Sequence, residues 1–349
     1  MKKKSSTKQN IIKKLFIKLI RKIGYEVIDQ STLNIAGEDL YSGKNLSRSG
    51  TRSISIPLGK TTISRKINSI TIIIRSYTFG DINNGQVMLD QNKNRIFELP
   101  KAEYTLRTIN SIIKSCEYAK NYFNNVKFKI IITDDKSQQN ILDKINSLLD
   151  KSDLETKLIQ IKNDELLDKI EKIDTEGNEI SKNMISNMRN IYKSLEIVEN
   201  EESDLFYILE DDYVHEKEAI TEMLFTYEKI CSQLNKEIFI CPADYPYLYS
   251  NIEKTAVFLG NMRHWRQVSE TLITFLTSKK MILKYLNELK SMATIRHHPM
   301  EKKLHEIYEK ENCFSPIPSL AMHCTFINST YGIPPIFDWK KIWDENEII

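Results

Sequence analysis

Short β-branched apolar runs alternate along the chain with longer segments whose apolar residues recur every three or four positions. Ser69-Ile70-Thr71-Ile72-Ile73-Ile74-Arg75 is a β-branched run of the kind a strand buried on both faces of a sheet requires. Ser76-Tyr77-Thr78-Phe79-Gly80 reads as its exit loop. From Tyr104 to Ala119, the residues Leu106, Ile109, Ile112, Ile113 and Cys116 keep a helical period. Residues 127–133 predict the next strand, 140–149 a helix, 157–161 a short strand and 181–198 a long helix. Within 205–214 an apolar strand, Leu205-Phe206-Tyr207-Ile208-Leu209, then runs straight into Glu210-Asp211-Asp212. Strand and helix taking turns predict an α/β fold, a single domain with a mostly parallel central sheet and helices on both faces.

In open α/β sheets ligands bind outside the carboxyl ends of the strands. Arg75 and Tyr77, Asp134 and Asp135, and Glu210, Asp211 and Asp212 all fall at predicted strand exits, so one rim carries one polar pocket. Three adjacent carboxylates raise one another's pKa unless a cation compensates them. Their hard oxygens suit Mg²⁺ or Mn²⁺, which keep positions open for substrate phosphates. A solvated acidic turn is the plainer reading of the triplet, and an Asp turn before a helix is the plainer reading of Asp134-Asp135. No GxGxxG follows the first strand and no GxxxxGK[ST] occurs, which removes dinucleotide and P-loop phosphate cradles.

The 349 residues, 41% hydrophobic and 28% charged, suffice for one large domain or two smaller ones. A net charge of +3 gives no global field for nucleic acid. Five widely spaced cysteines without a CxxC pair favour reduced thiols, hence a cytoplasmic protein. Residues 1–23 form a basic amphipathic helix: positions 12, 15, 16, 19, 20 and 23 share an apolar face opposite lysines. Such a helix either makes a peripheral contact with the inner membrane face through residues 11–23 or docks on its own domain. Residues 24–66 read as an irregular extension, 67–330 as the ordered domain, and the aromatic, Pro-rich 331–349 as a strap across it.

In their order, these motifs resemble glycosyltransferases of the GT-A fold, the Rossmann-like nucleotide-diphospho-sugar transferases. The family 2-like inverting group that makes bacterial surface polysaccharides is the most similar. The strand and loop at 69–80, followed by a helix carrying Leu106, Thr108, Ile109, Ser111 and Ile112, look like that family's first βα unit. Ile130-Ile131-Ile132-Thr133-Asp134-Asp135-Lys136-Ser137 resembles its DDxS strand end, and Glu210-Asp211-Asp212 its DxD-type metal site. Pro318-Ser319-Leu320-Ala321-Met322-His323 is similar to its late histidine motif. The resemblance spans 67–330 and implies transfer of a sugar from a nucleotide-sugar donor to a glycan or lipid-linked glycan, with inversion.

It further implies Mn²⁺ or Mg²⁺ on Asp212 and His323, holding the donor's diphosphate. Asp211 would face the ribose or sugar, with Glu210 supporting the geometry. Asp134 or Asp135 would contact the nucleotide, and Arg75 and Tyr77 would frame its base. Met300-Glu301-Lys302-Lys303-Leu304 keeps the spacing of the family's base motif, with Met300 where the family has Glu. Glu301 is therefore the expected general base, and Glu270, just ahead of an apolar run at 271–276, the alternative. Glu301 equally reads as a solvated helix glutamate, and His323 as a satisfied core histidine.

Arg263 and Trp265, within Asn261-Met262-Arg263-His264-Trp265-Arg266, combine an aromatic plane with cationic groups. Such a surface holds a sugar acceptor or simply packs against a core. His298 adds a group for an acidic acceptor. Two other classes stay open. A nucleotidyltransferase acting on sugar phosphates would carry a Gly-rich basic loop after its first strand, where residues 75–81 hold one glycine. The other is a noncatalytic carbohydrate-binding or assembly protein on the same fold.

Overall fold

The computed structural model describes residues 11–27, 62–78, 95–250, 254–326 and 328–348. Strand β1 (Ser69–Ser76) buries every side chain after its first residue. Only a strand with neighbours on both edges and cover on both faces can do so. It is the hub of a chain that continues through α2 (Lys101–Lys120), β2 (Lys127–Asp134), α3 (Gln139–Asp150), β3 (Glu155–Gln160), α4 (Lys182–Asn200) and β4 (Leu205–Glu210). The helix before this hub, α1 (Ile11–Lys22), belongs to a separate unit ending at Thr62. As the pattern predicts, α1 is basic at its end, with Arg21 and Lys22 in the last turn.

Beyond β4 come β5 (Tyr213–His215), α5 (Ala219–Leu234), β6 (Phe239–Ile240), α6 (Tyr247–Ser250), β7 (Val257–Leu259), β8 (His264–Val268) and β9 (Phe275–Ser278). The chain closes with α7 (Lys279–Lys284), α8 (Leu286–Thr294), α9 (Lys302–Tyr308), β10 (Cys313–Ile317), β11 (Ala321–His323) and α10 (Trp339–Glu345). Nine strands form one sheet in the order β3-β2-β1-β4-β9-β6-β10-β8-β7. Only β9 and β8 run against the rest, so the sheet is mostly parallel. The chain steps outward from β1 to β3, then crosses back to β4 on the other side of β1. Right-handed crossovers therefore put α2 and α3 on one face and α4 on the other. Accordingly α2 packs with α3 and α5, and α4 packs with α7 and α8.

Three boundaries differ from the sequence pattern. The run at 205–214 ends its strand at the acids: β4 stops at Glu210, Asp211 and Asp212 turn, and a boundary the pattern does not give follows, because β5 pairs with β11 in a separate small sheet. In the 271–276 run, only Phe275 and Leu276 are strand, as the start of β9. The ordered unit begins before residue 67, because Arg65 bridges Asp204 at 2.6 Å and Glu237 at 2.8 Å, tying its start to two strand ends. The long helix starts where Ser181 caps it, its hydroxyl accepting from the Met184 N–H.

The five cysteines are all buried and free. In helix α10 the Trp343 ring stacks on Phe97 at 3.9 Å, and the Arg107 guanidinium lies 4.5 Å from the Trp343 ring. Among the described residues, no helix is long and apolar enough to cross a membrane. Most of the 24–66 extension, and Phe79 and Gly80 of the β1 exit loop, lie outside the described residues.

Candidate active site

The order β3-β2-β1-β4 reverses chain direction at β1, which makes the carboxyl ends of β1 and β4 the topological switch point. Register places Arg75 beside Glu210, and Ser76 beside Asp134. The Arg75 Nη2 lies 3.2 Å from a Glu210 oxygen, and the guanidinium also donates to Asn187 Oδ1 and the Ile273 carbonyl, both at 3.0 Å. At 4% exposure Arg75 is an internal partner of Glu210, which corrects the expectation that it frames a nucleotide base. Burial pushes the Glu210 carboxyl above its ordinary range; Arg75 opposes this, while Asp212 and Asp211 reinforce it.

Past β4 the chain turns because both following carboxylates find partners there. Asp211 accepts from the Tyr77 N–H at 3.0 Å and the Thr105 hydroxyl at 2.8 Å, and pairs with the Lys101 ammonium. It thereby fastens the β1 exit to the first turn of α2, with no oxygen left over to face a sugar openly. Asp212 divides its oxygens. Its Oδ2 meets Arg95 Nη1 at 3.1 Å and Lys101 at 3.8 Å, while Oδ1 faces His323 Nε2 at 3.5 Å. Burial opposes ionisation of Asp212, but Lys101, His323 and Arg95 together hold its carboxyl well below the usual carboxylate range.

His323 reaches this turn because β11 pairs with β5 in a register that sets His323 opposite Tyr213. The Cys324 N–H also donates to the Asp212 carbonyl at 2.8 Å. On the far side of the ring, Nδ1 lies 2.8 Å from the Tyr331 carbonyl. A carbonyl can only accept, so Nδ1 carries a hydrogen and donates to it, which aims Nε2 at the Asp212 carboxylate. Tyr213 stacks on the ring at 4.6 Å and 7°. Glu210, Asp212 and His323 each bring one ligand atom into a group within 4.8 Å of one another. Two hard oxygens and one imidazole nitrogen, with a backbone carbonyl holding the ring from its far side, could hold a divalent metal ion. Three donors of this kind leave coordination positions for phosphate oxygens.

Both candidate bases belong to this neighbourhood. Glu301 is the N-cap of α9, half-buried, and its carboxyl is pushed up to about 7 by burial and by Glu210. Glu270 accepts from the Tyr331 hydroxyl at 3.2 Å, and its carbonyl accepts from Tyr247 at 2.6 Å. Tyr331 thus steadies His323 with its carbonyl and Glu270 with its phenol.

Other expected residues sit elsewhere. Asp134 is buried, accepting from the Ser137 N–H at 3.0 Å and from the Ser137 hydroxyl, which in turn accepts from Thr78 at 2.6 Å. Its place between two strand exits is at the rim. Asp135 is not: it is fully buried, with both oxygens 3.2 Å from Arg189 and a bond from Ser186, so it is an internal ion pair and not a nucleotide contact. Trp265 is likewise fully buried, donating to Glu222 at 3.1 Å. A Cβ built on Gly260 would stand 2.4 Å from its ring, so this Trp offers no face to a sugar acceptor. Arg263 pairs with Glu216 and donates to the Pro318 carbonyl at 2.9 Å. His298 meets Asp174 at 2.8 Å, and the Tyr77 hydroxyl donates to Asn183 at 2.7 Å.

Sequence reasoning missed Arg95, Lys101, Thr105 and Tyr331. The pair Pro100-Lys101 at a helix start was the only local signal, since proline favours that position.

No protein-family model matches the chain, and no curated protein matches its sequence. Among solved structures, UTP-bound UGPase from Acinetobacter baumannii aligns at 8% identity over 75% of this chain and 90% of its own, with a TM-score of 0.42. UDP-glucose pyrophosphorylase complexed with UDP-glucose aligns at 8% identity over 73% and 92%, with a TM-score of 0.38. The galactosyltransferase LgtC, in complex with donor and acceptor sugar analogues, aligns at 11% identity over 69% and 64%, with a TM-score of 0.30. These are likenesses of chain path, and the functional reading stands on the centre's own residues.

If Asp135 is structural, removing its partner exposes the cost of a lone buried charge. Arg189→Met is expected to lose about 3–5 kcal/mol in urea denaturation, with much of it recovered in Arg189→Met/Asp135→Asn. A loss confined to nucleotide binding, with stability unchanged, would return Asp135 to the substrate site.

Proposed function

We propose that this chain is a glycosyltransferase that moves a sugar from a nucleotide-sugar donor to a glycan or lipid-linked glycan acceptor with inversion. The carrying observation is the Glu210, Asp212 and His323 group at the switch point, with His323 Nε2 turned toward Asp212. A divalent ion held there supplies charge neutralisation for a diphosphate leaving group. Glu210, Asp212 and His323 are its ligands in this reading. Asp134 borders the nucleotide, and Asp211 locks the turn that presents Asp212. Glu301 accepts the acceptor's hydroxyl proton, because burial and Glu210 set its carboxyl near neutrality, where a general base is most effective. Glu270, held by Tyr331, is the second candidate for that task. Arg263 and His298 are left as acceptor contacts at the periphery, and helix α1 as a peripheral membrane contact in the cytoplasm. Assembly of surface polysaccharide is the process this chemistry serves.

Asp212→Ala is expected to abolish Mn²⁺-dependent binding of nucleoside diphosphate in calorimetry and release of nucleoside diphosphate from donor sugars; retained binding would remove Asp212 from the metal site. The same product assay separates the nucleotidyltransferase reading, which predicts pyrophosphate-dependent formation of nucleoside triphosphate.

With Glu301 as the base, its protonated form below about pH 7 is inactive. The kcat/KM should fall about tenfold per pH unit on the acid side and level off above. Glu301→Gln should lose about 10²–10⁴-fold in kcat while keeping nucleotide affinity. An acid limb unchanged in Glu270→Gln but absent from Glu301→Gln residual activity assigns the base; the reverse pattern assigns it to Glu270.

For α1, co-sedimentation with vesicles containing anionic lipid should fall when the chain starts near Ile63. Equal partitioning of both forms excludes the membrane contact.

A further inference from the structure

Carboxylates and cations at the centre are matched one to one. Glu210 has Arg75 at 3.2 Å, Asp212 has Arg95 at 3.1 Å, and Asp211 has Lys101. Each of the three consecutive carboxylates therefore has a cationic partner already. A divalent ion between Glu210, Asp212 and His323 adds two positive charges beside three cationic side chains in a poorly hydrated site, where charge repulsion is weakly screened. The imbalance is removed if an anion of about the same charge arrives with the ion, or if one resident cation leaves its carboxylate.

The three cations differ in exposure and in shape. Arg75 is fixed by Asn187 and the Ile273 carbonyl, with its side chain 2% exposed. Arg95 also donates to the Cys324 carbonyl at 3.3 Å, and its buried Nε has no hydrogen-bond partner among the described residues. That guanidinium keeps a donor in reserve for an acceptor not supplied by those residues. Lys101 touches both Asp211 and Asp212, carries a compact charge on a flexible stem, and is the most exposed of the three at 13%. It stands in the first turn of α2, at the positive end of that helix's dipole.

We propose that Lys101 is an exchangeable counter-ion. It holds Asp211 and Asp212 in the donor-free protein and transfers its ion pair to the diphosphate of an incoming nucleoside diphosphate, with Arg95 Nε as a second donor to the same group. Divalent ion and diphosphate then enter as one balanced unit, and the ion alone binds weakly. This inference rests on the nucleotide-sugar reading above and adds the residues that couple the ion to the nucleotide.

The test is Mn²⁺ binding read by electron paramagnetic resonance of the free ion, with and without UDP or GDP, in wild type and Lys101→Met. Wild type should bind Mn²⁺ at least about tenfold more tightly with nucleotide present, a coupling of about 1.4 kcal/mol. Lys101→Met should bind Mn²⁺ alone more tightly than wild type and lose most of that coupling. Weaker binding of Mn²⁺ alone by Lys101→Met, or unchanged coupling, overturns the exchange while leaving the nucleotide-sugar reading intact. Failure of wild type to bind nucleotide under any condition overturns that reading instead.

A measurement on wild type needs no variant: acetylation of Lys101, followed by mass spectrometry, should be slow without metal, faster in millimolar Mn²⁺, and slow again when nucleotide is added. A rate indifferent to Mn²⁺ sinks the exchange.

Discussion

The constraint on which this structure turns is the need to neutralise three consecutive carboxylates at the end of a buried strand. Glu210, Asp211 and Asp212 are each largely withdrawn from water, and a buried unpaired carboxylate is costly enough to change its protonation or its place. Each therefore recruits a partner from a different part of the fold: Arg75 from the neighbouring strand, Lys101 from the first helix of the sheet, Arg95 from the segment before it. Satisfying these charges fixes how β1, α2 and β4 meet. The groups that settle how these elements meet are thus the same groups that form the candidate metal centre.

The small β5/β11 sheet is the second device. A strand that continued straight from β4 would carry Asp212 away along the main sheet. Turning at Asp211 and Asp212 and pairing β5 with β11 instead brings His323 alongside, across more than a hundred residues of chain. Tyr213 and Tyr331 then clamp the imidazole from its face and from its Nδ1 side. A ring held by stacking and by one hydrogen bond is pre-organised, and pre-organisation is what lets a weak ligand set act as a site.

What could be read from the sequence follows from what is local. The buried strands announced themselves because β1, β2 and β4 carry the unbroken apolar runs 72–74, 130–132 and 205–209, and the Ser181 cap and the Glu301 position at a helix start are short-range signals. The Asp212 and His323 pairing was legible only through family resemblance, because nothing in the spacing of 212 and 323 requires contact. Charge partnering was not legible. Asp135, Arg75 and Trp265 look like binding residues in one dimension, yet Arg189, Glu210 and Glu222 absorb them in three. Conversely Arg95 and Lys101 lie in unremarked sequence, and only the fold brings them to the acids. Sequence patterns report which side chains are buried far better than which opposite charge each has found.

Tyr331 joins the histidine and Glu270 while sitting some 250 residues after Arg75, which opens the same centre. The parts of the site are thus spread over most of the order in which the chain is synthesised. A nascent chain lacking residue 331 has Glu210, Asp211 and Asp212 but neither the clamp on His323 nor the tether on Glu270. The contacts that hold His323 and Glu270 can therefore form only after most of the chain that builds the centre has been made.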